Sequence, residues 1–232
     1  MISLKFIIAG VGPGDPDLVT LGALRSLAAA DLVLIPHSQT ERASVAEQAV
    51  RAHLKDLKTT PILFPMTMDG ESRDQSLKAQ LEALRPQWET SSLIVLPVIG
   101  DSTLYATGFY LYELWRGMEP RLELGLIPGI SAHSLAASRS GTFLAMGQEI
   151  LTVVPGTAGT ERVAAALAAA DSAAVYKPSA LKERLRQVVG AAGPWKKIIR
   201  IDRAGLADEK ILEGADALAP ASEYLSILLL RR

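Results

Sequence analysis

The stretch that decides the fold lies near the start of the 232-residue sequence and reads Phe6-Ile7-Ile8-Ala9-Gly10-Val11-Gly12-Pro13-Gly14-Asp15-Pro16. Its first four residues form an apolar run of the kind found in buried parallel strands. A glycine turn follows, and Thr20 then offers an N-cap for a helix whose apolar positions are Leu21, Leu24 and Leu27. A strand, a glycine turn and a helix in this order are typical of nucleotide-binding α/β domains.

The residues of this turn argue against a bound phosphate. Asp15 stands where a dinucleotide-binding turn has its third glycine, and its carboxylate would repel a phosphate. Pro13 has no backbone N–H to donate to one. A ligand without phosphate therefore fits better, and S-adenosylmethionine is such a ligand, because its cationic sulfonium gains from nearby carbonyls and carboxylates. The alternative is a tight turn with a structural role alone.

Two further turns follow apolar strand candidates. The run from Leu93 to Ile99 leads into Gly100-Asp101-Ser102-Thr103-Leu104-Tyr105, and the run from Leu122 to Ile127 leads into Pro128-Gly129-Ile130-Ser131-Ala132. Turns at the carboxyl ends of strands are where open α/β sheets bind small ligands. Each turn alone could be structural, but three of them in one chain favour a common binding site.

The apolar runs predict two α/β domains. In the first half, strand candidates at residues 32–35 and 62–64 alternate with helical patterns, which predicts a mostly parallel sheet. In the second half, helices at about residues 160–170 and 179–191 separate the earlier strands, but the closing strands leave no room for crossover helices. The second sheet should therefore be mixed. Its strand candidates are 150–154, 173–176, 197–202, 210–212 and 224–230, and we set the domains at 1–118 and 119–232.

Composition excludes several classes of protein. The 24 Lys and Arg residues balance 25 Asp and Glu residues, so no global field attracts nucleic acid or anionic lipid. Without cysteine the chain has no disulfide, thiolate metal site or cysteine nucleophile, and a reducing cytoplasm suits it. Three scattered histidines predict no dedicated metal site. The apolar runs are too short to cross a membrane, and the start of the chain reads as a strand rather than a signal peptide.

In this order, the three turns resemble those of the tetrapyrrole methylases, whose first domain has a glycine-proline turn, a Gly-Asp turn and a Pro-Gly-x-Ser/Thr segment. Four further segments are similar to the precorrin-2 carbon-20 methyltransferases in particular, so the resemblance covers nearly the whole chain: Leu63-Phe64-Pro65-Met66-Thr67, Leu151-Thr152-Val153-Val154-Pro155-Gly156-Thr157, Asp202-Arg203-Ala204-Gly205 and Tyr224-Leu225-Ser226-Ile227. The chain departs from that subgroup at Ser102, where proline is usual, and at Leu104, where an aromatic is usual.

The resemblance implies a methyltransferase of the tetrapyrrole methylase fold, working as a homodimer, with S-adenosylmethionine in a cleft between the domains and S-adenosylhomocysteine as product. It implies carbon 20 of precorrin-2, or of its cobalt form, as the methyl acceptor in cobalamin synthesis. The cofactor contacts that it implies are Gly12, Pro13, Gly14, Ile99, Gly100, Asp101, Leu104, Ser131, Ala132, Tyr176, Lys177 and Ala204.

Other residues are candidates for proton transfer and for substrate binding. Asp101, His37 and His133 lie at predicted strand or turn ends and could accept the proton that leaves after methylation. The pattern favours another role for two of them: Asp101 would orient its turn or bond the cofactor, and His133 would cap a helix or serve in packing. Precorrin acetates and propionates require basic partners, and the candidates are Arg42, Arg139, Lys177 and Arg203.

Several alternatives stay open at this stage. Sister enzymes acting on uroporphyrinogen or on a later precorrin share the ligand turns, but the uroporphyrinogen methylases place an aspartate where this chain has Pro36, followed by His37. A ribosomal RNA methylase is disfavoured by the neutral charge and the few aromatic residues. A non-catalytic nucleotide-sensing module is the alternative from a different class.

Overall fold

The computed structural model describes residues 4–38, 44–65, 69–220 and 223–232. In those ranges the chain forms ten strands, nine α-helices and three 3-10 helices. It divides into two compact units, Met1–Ser131 and Ala132–Arg232. No helix of the described ranges is long and apolar enough to span a membrane. Among the same residues, no three or more His, Cys, Asp or Glu side chains are grouped closely enough to hold a metal ion.

The first unit contains a five-stranded parallel sheet with the strand order β3-β2-β4-β1-β5. Strands β1 to β5 are Lys5–Gly10, Leu32–His37, Thr60–Leu63, Leu93–Val98 and Glu123–Ile127. Helices α1 to α5 are Leu21–Ala29, Val45–Arg51, Gly70–Ala83, Arg85–Trp88 and Gly108–Met118. A 3-10 helix, Pro16–Leu18, precedes α1. The predicted alternation of strands and helices, and the parallel sheet, are confirmed.

Side chains of this sheet alternate between two separate cores. Phe6 and Ile8 belong to the core that α3, α4 and α5 cover, where the Trp115 ring centroid lies 5.2 Å from Phe6 and 5.6 Å from Trp88. Ala9 and its counterparts on β2 belong to the core that α1 and α2 cover. Because the helices that follow the neighbouring strands β1 and β4 lie on opposite faces, a crevice opens at the carboxyl ends of these two strands.

The boundary between the units differs from the predicted division at 118/119. Strand β5 pairs in parallel with β1, from Lys5↔Glu123 to Ala9↔Ile127, and is therefore the edge strand of the first sheet. The first unit consequently extends to Ser131. An apolar run does not reveal which sheet it joins, because strand pairing across more than a hundred residues leaves no local signal.

The second unit contains a mixed five-stranded sheet, as predicted, with the strand order β6-β7-β10-β8-β9. Only β6 and β7 pair in parallel, and the other neighbours are antiparallel. Strands β6 to β10 are Leu151–Pro155, Ser172–Tyr176, Lys197–Asp202, Lys210–Glu213 and Ser226–Arg231. Helices α6 to α9 are Ala132–Arg139, Thr160–Ala168, Leu185–Ala191 and Gly214–Ala217.

One predicted helix of the second unit has a different form. The segment predicted as a single helix over 179–191 begins as a 3-10 helix, Pro178–Arg184, and continues as α8. Lys182, with φ 48° and ψ −132°, interrupts the helical geometry between the two pieces. Leu181 and Leu185 on either side of this break are both buried in the core under the sheet, so packing maintains the irregular backbone.

Candidate active site

The three turns that the sequence singled out meet at the carboxyl edge of the first sheet. Strand β1 has β4 on one side and β5 on the other, so the turns that leave these strands are neighbours. Gly12 and Gly100 form an antiparallel bridge. The Gly100 N–H donates to the Gly12 carbonyl at 2.7 Å, and the Gly12 N–H donates to the Gly100 carbonyl at 3.2 Å. The first two turns are thus joined backbone to backbone.

Close backbone contact explains two of the glycines. A Cβ on Gly129 would lie 2.2 Å from the Gly100 carbonyl oxygen, and a Cβ on Gly10 would lie 2.6 Å from the Gly129 nitrogen. Gly100 itself has φ 77°, which favours glycine, but a Cβ there would meet nothing within 4 Å. The packing is therefore tight beneath the turns, and open space beside Gly100 leaves its backbone approachable.

Asp101 connects the second turn to the third. One carboxylate oxygen accepts hydrogen bonds from the Thr103 N–H at 2.8 Å and from the Thr103 hydroxyl. The other oxygen accepts from the Gly129 N–H at 2.9 Å. Because both oxygens accept from groups of the turns, this geometry favours the positioning role of Asp101 over the role of proton acceptor.

The remainder of the second turn carries unusual local features. The Ser102 hydroxyl is buried, and no hydrogen-bond partner for it lies among the described residues. Tyr105 has φ 53°, and partial burial raises the pKa of its phenol. Leu104 lies between them and is partly buried. Both departures from the subgroup pattern, Ser102 and Leu104, are therefore at least partly withdrawn from solvent.

The charges and donors of these turns fit S-adenosylmethionine better than a phosphate. Pro13 is buried and offers no N–H, and Asp15 accepts from the Asp17 N–H at 3.0 Å as the cap of the 3-10 helix. With Asp101, the turns carry two carboxylates, and Asp17 follows in the 3-10 helix. A cationic sulfonium gains from such surroundings, whereas a phosphate is repelled.

His37 ends β2, the neighbour of β4, and so lies at the same edge of the sheet. Its Nε2 is 3.8 Å from Glu47 Oε2, and its side chain is 17% exposed. The other oxygen of Glu47 accepts a hydrogen bond from Arg51 Nε at 2.8 Å. Nothing in the sequence pattern had indicated Glu47 as a neighbour of His37. Arg42 lies outside the described residues.

In the second unit, two predicted site residues 43 positions apart are hydrogen-bonded. The distance between His133 Nδ1 and the Tyr176 hydroxyl is 2.7 Å, and their rings meet edge to face at 5.8 Å. His133 is the second residue of α6, and Tyr176 is the last residue of β7. This contact fixes the start of α6 against the end of β7, which no local sequence signal could predict.

Strained backbone coincides with the predicted ligand residues. Within the described ranges four non-glycine residues have positive φ, and they are Tyr105, Lys177, Lys182 and Arg203. Tyr105 adjoins the predicted contact Leu104, while Lys177 and Arg203 are themselves predicted site residues. Such conformations cost about 1–3 kcal/mol each and cluster at functional sites. Three of the four residues thus lie at or beside predicted site residues, whereas Lys182 lies in the break before α8.

The predicted substrate cations differ in their partners. Arg203 Nε donates to Asp208 at 2.6 Å, and this hydrogen bond lowers the pKa of Asp208. Arg139 Nε lies 3.6 Å from Glu209. Lys177 Nζ lies 5.3 Å from the ring centroid of Tyr224. Beside Arg203, Ala204 is buried.

Residues 5–217 match the family of tetrapyrrole (corrin/porphyrin) methylases, and the chain belongs to this family. The match spans both units and all three turns. The fold predicted from the resemblance is therefore confirmed.

Two relatives and one solved structure show in more detail what the chain is similar to. The chain is 26% identical to the precorrin-2 C(20)-methyltransferase of a Sinorhizobium species, over 97% of this chain and 94% of the relative. It is 27% identical to the cobalt-precorrin-2 C(20)-methyltransferase of Salmonella typhimurium, over 89% of this chain and 86% of the relative. Its fold matches that of the uroporphyrin-III C-methyltransferase of Thermus thermophilus, solved in complex with S-adenosylhomocysteine, with a TM-score of 0.70, 18% identity and coverage of 98% and 97% of the two chains.

Proposed function

We propose that this protein transfers a methyl group from S-adenosylmethionine to carbon 20 of precorrin-2, or of its cobalt form, in the assembly of the corrin ring of cobalamin. The observation that carries the proposal is the cluster of Gly12, Gly100, Asp101 and Gly129, a ligand site with carboxylates and without a phosphate cradle. The near full-length relatives named as C(20)-methyltransferases support carbon 20.

The cofactor would be held mainly by the backbone of the turns. When bound, S-adenosylmethionine supplies an electrophilic methyl group on a cationic sulfur. In the first unit the open face beside Gly100 would admit it, with Pro13, Leu104 and Ser131 beside it. In the second unit we assign contacts to Tyr176, to the backbone of Lys177 and to Ala204, so that the Lys177 side chain is not needed for the cofactor. The assignment in the second unit rests on the resemblance alone, whereas in the first unit the hydrogen bonds of Asp101 support it by holding two of the turns together.

The residues of the chain contribute mostly alignment. Methyl transfer from a cation to a neutral or anionic carbon disperses charge, so exclusion of water and alignment of the three reacting atoms supply much of the acceleration. After the methyl group is attached, carbon 20 loses its proton. Asp101 is engaged by the turns, which leaves His37, beside Glu47, and His133, beside Tyr176, as the stronger candidates for the acceptor.

Sister activities are the second candidate. The structural neighbour from Thermus thermophilus acts on another tetrapyrrole, but at 18% identity it supports the fold alone. The relatives that match over most of their length carry the carbon-20 name, with and without cobalt. We therefore propose carbon 20 as the methylated position, with either metal-free precorrin-2 or its cobalt form as the substrate.

A single-turnover assay tests the proposal. Purified protein is mixed anaerobically with S-adenosylmethionine and either metal-free precorrin-2 or its cobalt complex, and the products are analysed by mass spectrometry. We expect the gain of one methyl group, and the reactive form identifies the route of cobalt insertion. Cofactor binding without methylation of either form, or of uroporphyrinogen, would instead favour a sensing module.

Two further proposals have less support: the first rests on the resemblance alone, and the second on the absence of cysteine from the sequence. We propose a homodimer and a cytoplasmic location. Light scattering of the purified protein and fractionation of cells that produce it would test them, and a monomer or a membrane-associated protein would contradict them.

A further inference from the structure

The end of β7 and the start of β10 bring a lysine and a tyrosine together outside the turns of the first unit. Lys177 directly follows β7, and Tyr224 precedes β10 by two residues. The two strands are antiparallel neighbours, with Tyr176 paired to Ile227, so both side chains belong to the same edge of the second sheet. The Lys177 ammonium lies 5.3 Å from the Tyr224 ring centroid, within the range of a cation–π contact.

Lys177 differs from the other predicted substrate cations in its electrostatic surroundings. Arg203 and Arg139 each have a carboxylate within 4 Å, from Asp208 and Glu209 respectively. Across the described ranges, no carboxylate lies within that distance of Lys177, which contacts the Tyr224 ring instead. An incoming anion would therefore meet an uncompensated charge at Lys177, whereas at the two arginines it would have to compete with an existing ion pair.

The backbone holds this lysine in a costly conformation. Lys177 has φ 51° and ψ 51°, the left-handed region that glycine occupies without penalty. Its carbonyl oxygen would lie 2.5 Å from a Cβ on Gly156, so the two backbones touch, and Pro178 follows directly. A glycine at position 177 would adopt this conformation without the cost that the lysine carries.

Tyr224 adds a second donor. The residue is 49% exposed, so its hydroxyl is accessible to a ligand. Because the Lys177 ammonium contacts the ring that carries this hydroxyl, the two groups can serve together as donors for one carboxylate, which accepts through both of its oxygens.

We propose that Lys177 and Tyr224 form a carboxylate-binding site that holds one acetate or propionate side chain of the tetrapyrrole. The proposal rests on the proposed function for the identity of the substrate. Tyr224 is the specificity-determining partner, because its ring positions the ammonium and its hydroxyl supplies the second hydrogen bond. The amino-acid tail of S-adenosylmethionine also ends in a carboxylate, so the test has to distinguish these two sources.

The test uses K177M, Y224F and the double variant of the full-length protein. Uroporphyrin, a stable tetrapyrrole with acetate and propionate side chains, serves as the substrate probe, and its affinity is measured by fluorescence titration. S-adenosylhomocysteine probes the cofactor tail, and methylthioadenosine, which lacks that tail, is its control. The matched control variant is K196M, because Lys196 is exposed at the opposite edge of the same sheet, where Lys197 pairs with Arg231.

We expect K177M to weaken uroporphyrin binding about tenfold and Y224F to weaken it about threefold. The double variant should lose less than the product of the two factors, because both residues hold one carboxylate. Salt should weaken binding to the wild type more than to K177M. K196M should bind like the wild type, and none of the variants should change affinity for S-adenosylhomocysteine by more than about twofold.

Two results would overturn the assignment. Unchanged uroporphyrin affinity in K177M would show that Lys177 does not bind the tetrapyrrole. A loss of S-adenosylhomocysteine affinity that methylthioadenosine does not share would also contradict the proposal, since the bound carboxylate would then be that of the cofactor. Failure of the proposed function looks different. A wild type that binds uroporphyrin through Lys177 but methylates neither form of precorrin-2 would keep the site and remove the carbon-20 activity.

Discussion

The two units build their candidate ligand residues in opposite ways. In the first unit the turns are held by backbone contacts, with glycines where a side chain would collide and one carboxylate, Asp101, that bonds two turns. In the second unit the candidate residues are instead side-chain groups: His133 and Tyr176, which are hydrogen-bonded to each other, and Lys177, whose backbone is strained. Backbone sites leave recognisable glycine motifs in a sequence, whereas side-chain sites of this kind leave almost none.

The largest effect is expected where the backbones touch. G129A would place a methyl group 2.2 Å from the Gly100 carbonyl oxygen, so we expect a loss of more than about 3 kcal/mol in the free energy of unfolding. G100A has the unfavourable φ but no clash, and should lose only about 1 kcal/mol. Urea denaturation of both variants measures the difference, and equal losses would contradict the close-contact account of the turns.

The second-largest effect is expected at Asp101, whose carboxylate links the second and third turns. D101N replaces one accepting oxygen by an NH₂ group that faces the N–H of Gly129 or of Thr103. We expect a loss of about 1.5–3 kcal/mol in the free energy of unfolding, with weaker binding of S-adenosylhomocysteine. Denaturation and calorimetry measure the two quantities. A D101N protein with normal cofactor affinity and stability, but no methyl transfer, would instead favour Asp101 as the proton acceptor.

In the second unit, a substitution at a strained backbone position should raise the free energy of unfolding instead of lowering it. K177G relieves a left-handed non-glycine residue, so we expect a gain of about 1 kcal/mol in the free energy of unfolding. Uroporphyrin affinity should fall at the same time, because the ammonium is removed. A protein that loses stability in K177G would show that Lys177 has a structural role.

The smallest effect is expected at the amino-terminal ends of the strands of the first sheet, opposite the ligand turns. Asp31 accepts hydrogen bonds from the N–H groups of Leu93 and Ser92, and these bonds lower its pKa. Because the folded-state pKa is lowered, the stabilisation is present above the ordinary pKa of 3.8 and is lost as the pH falls through the folded value. D31N should remove this acid dependence at a cost below about 1 kcal/mol, since Asp31 is exposed.

The acid dependence of Asp31 is measured by urea denaturation from neutral pH down to about pH 2, with cofactor affinity measured in parallel at neutral pH. S-adenosylhomocysteine should bind D31N as it binds the wild type, because Asp31 lies at the amino-terminal edge of the sheet. A loss of cofactor affinity in D31N would show that the two edges are not independent.

Much of the fold could be predicted because its determinants are local. The apolar runs gave the strands of the first sheet, and the short spacing of the last strands gave the mixed second sheet. The membership of β5 in the first sheet could not be predicted, because it depends on pairing with β1 far away in the sequence. The break at Lys182 escaped prediction as well, because a helical pattern does not show a single residue with positive φ.

For the site, too, the local motifs could be predicted and the long-range contacts could not. Gly12, Gly100 and Gly129 stand in motifs that sequence alone identifies, and the structure brings all three together. The neighbours Glu47 of His37 and Tyr224 of Lys177 were not predicted, because each contact joins elements that are distant in the chain. Only the three-dimensional arrangement shows which predicted residues act in pairs.

The position of the transferred methyl group tests the central claim most directly. S-adenosylmethionine labelled with ¹³C in its methyl group is incubated anaerobically with the protein and each form of precorrin-2, and the product is examined by NMR. The account predicts a single labelled methyl group on carbon 20. A label on another ring carbon would assign the protein to a sister activity, and the absence of label from both forms would contradict the proposed reaction.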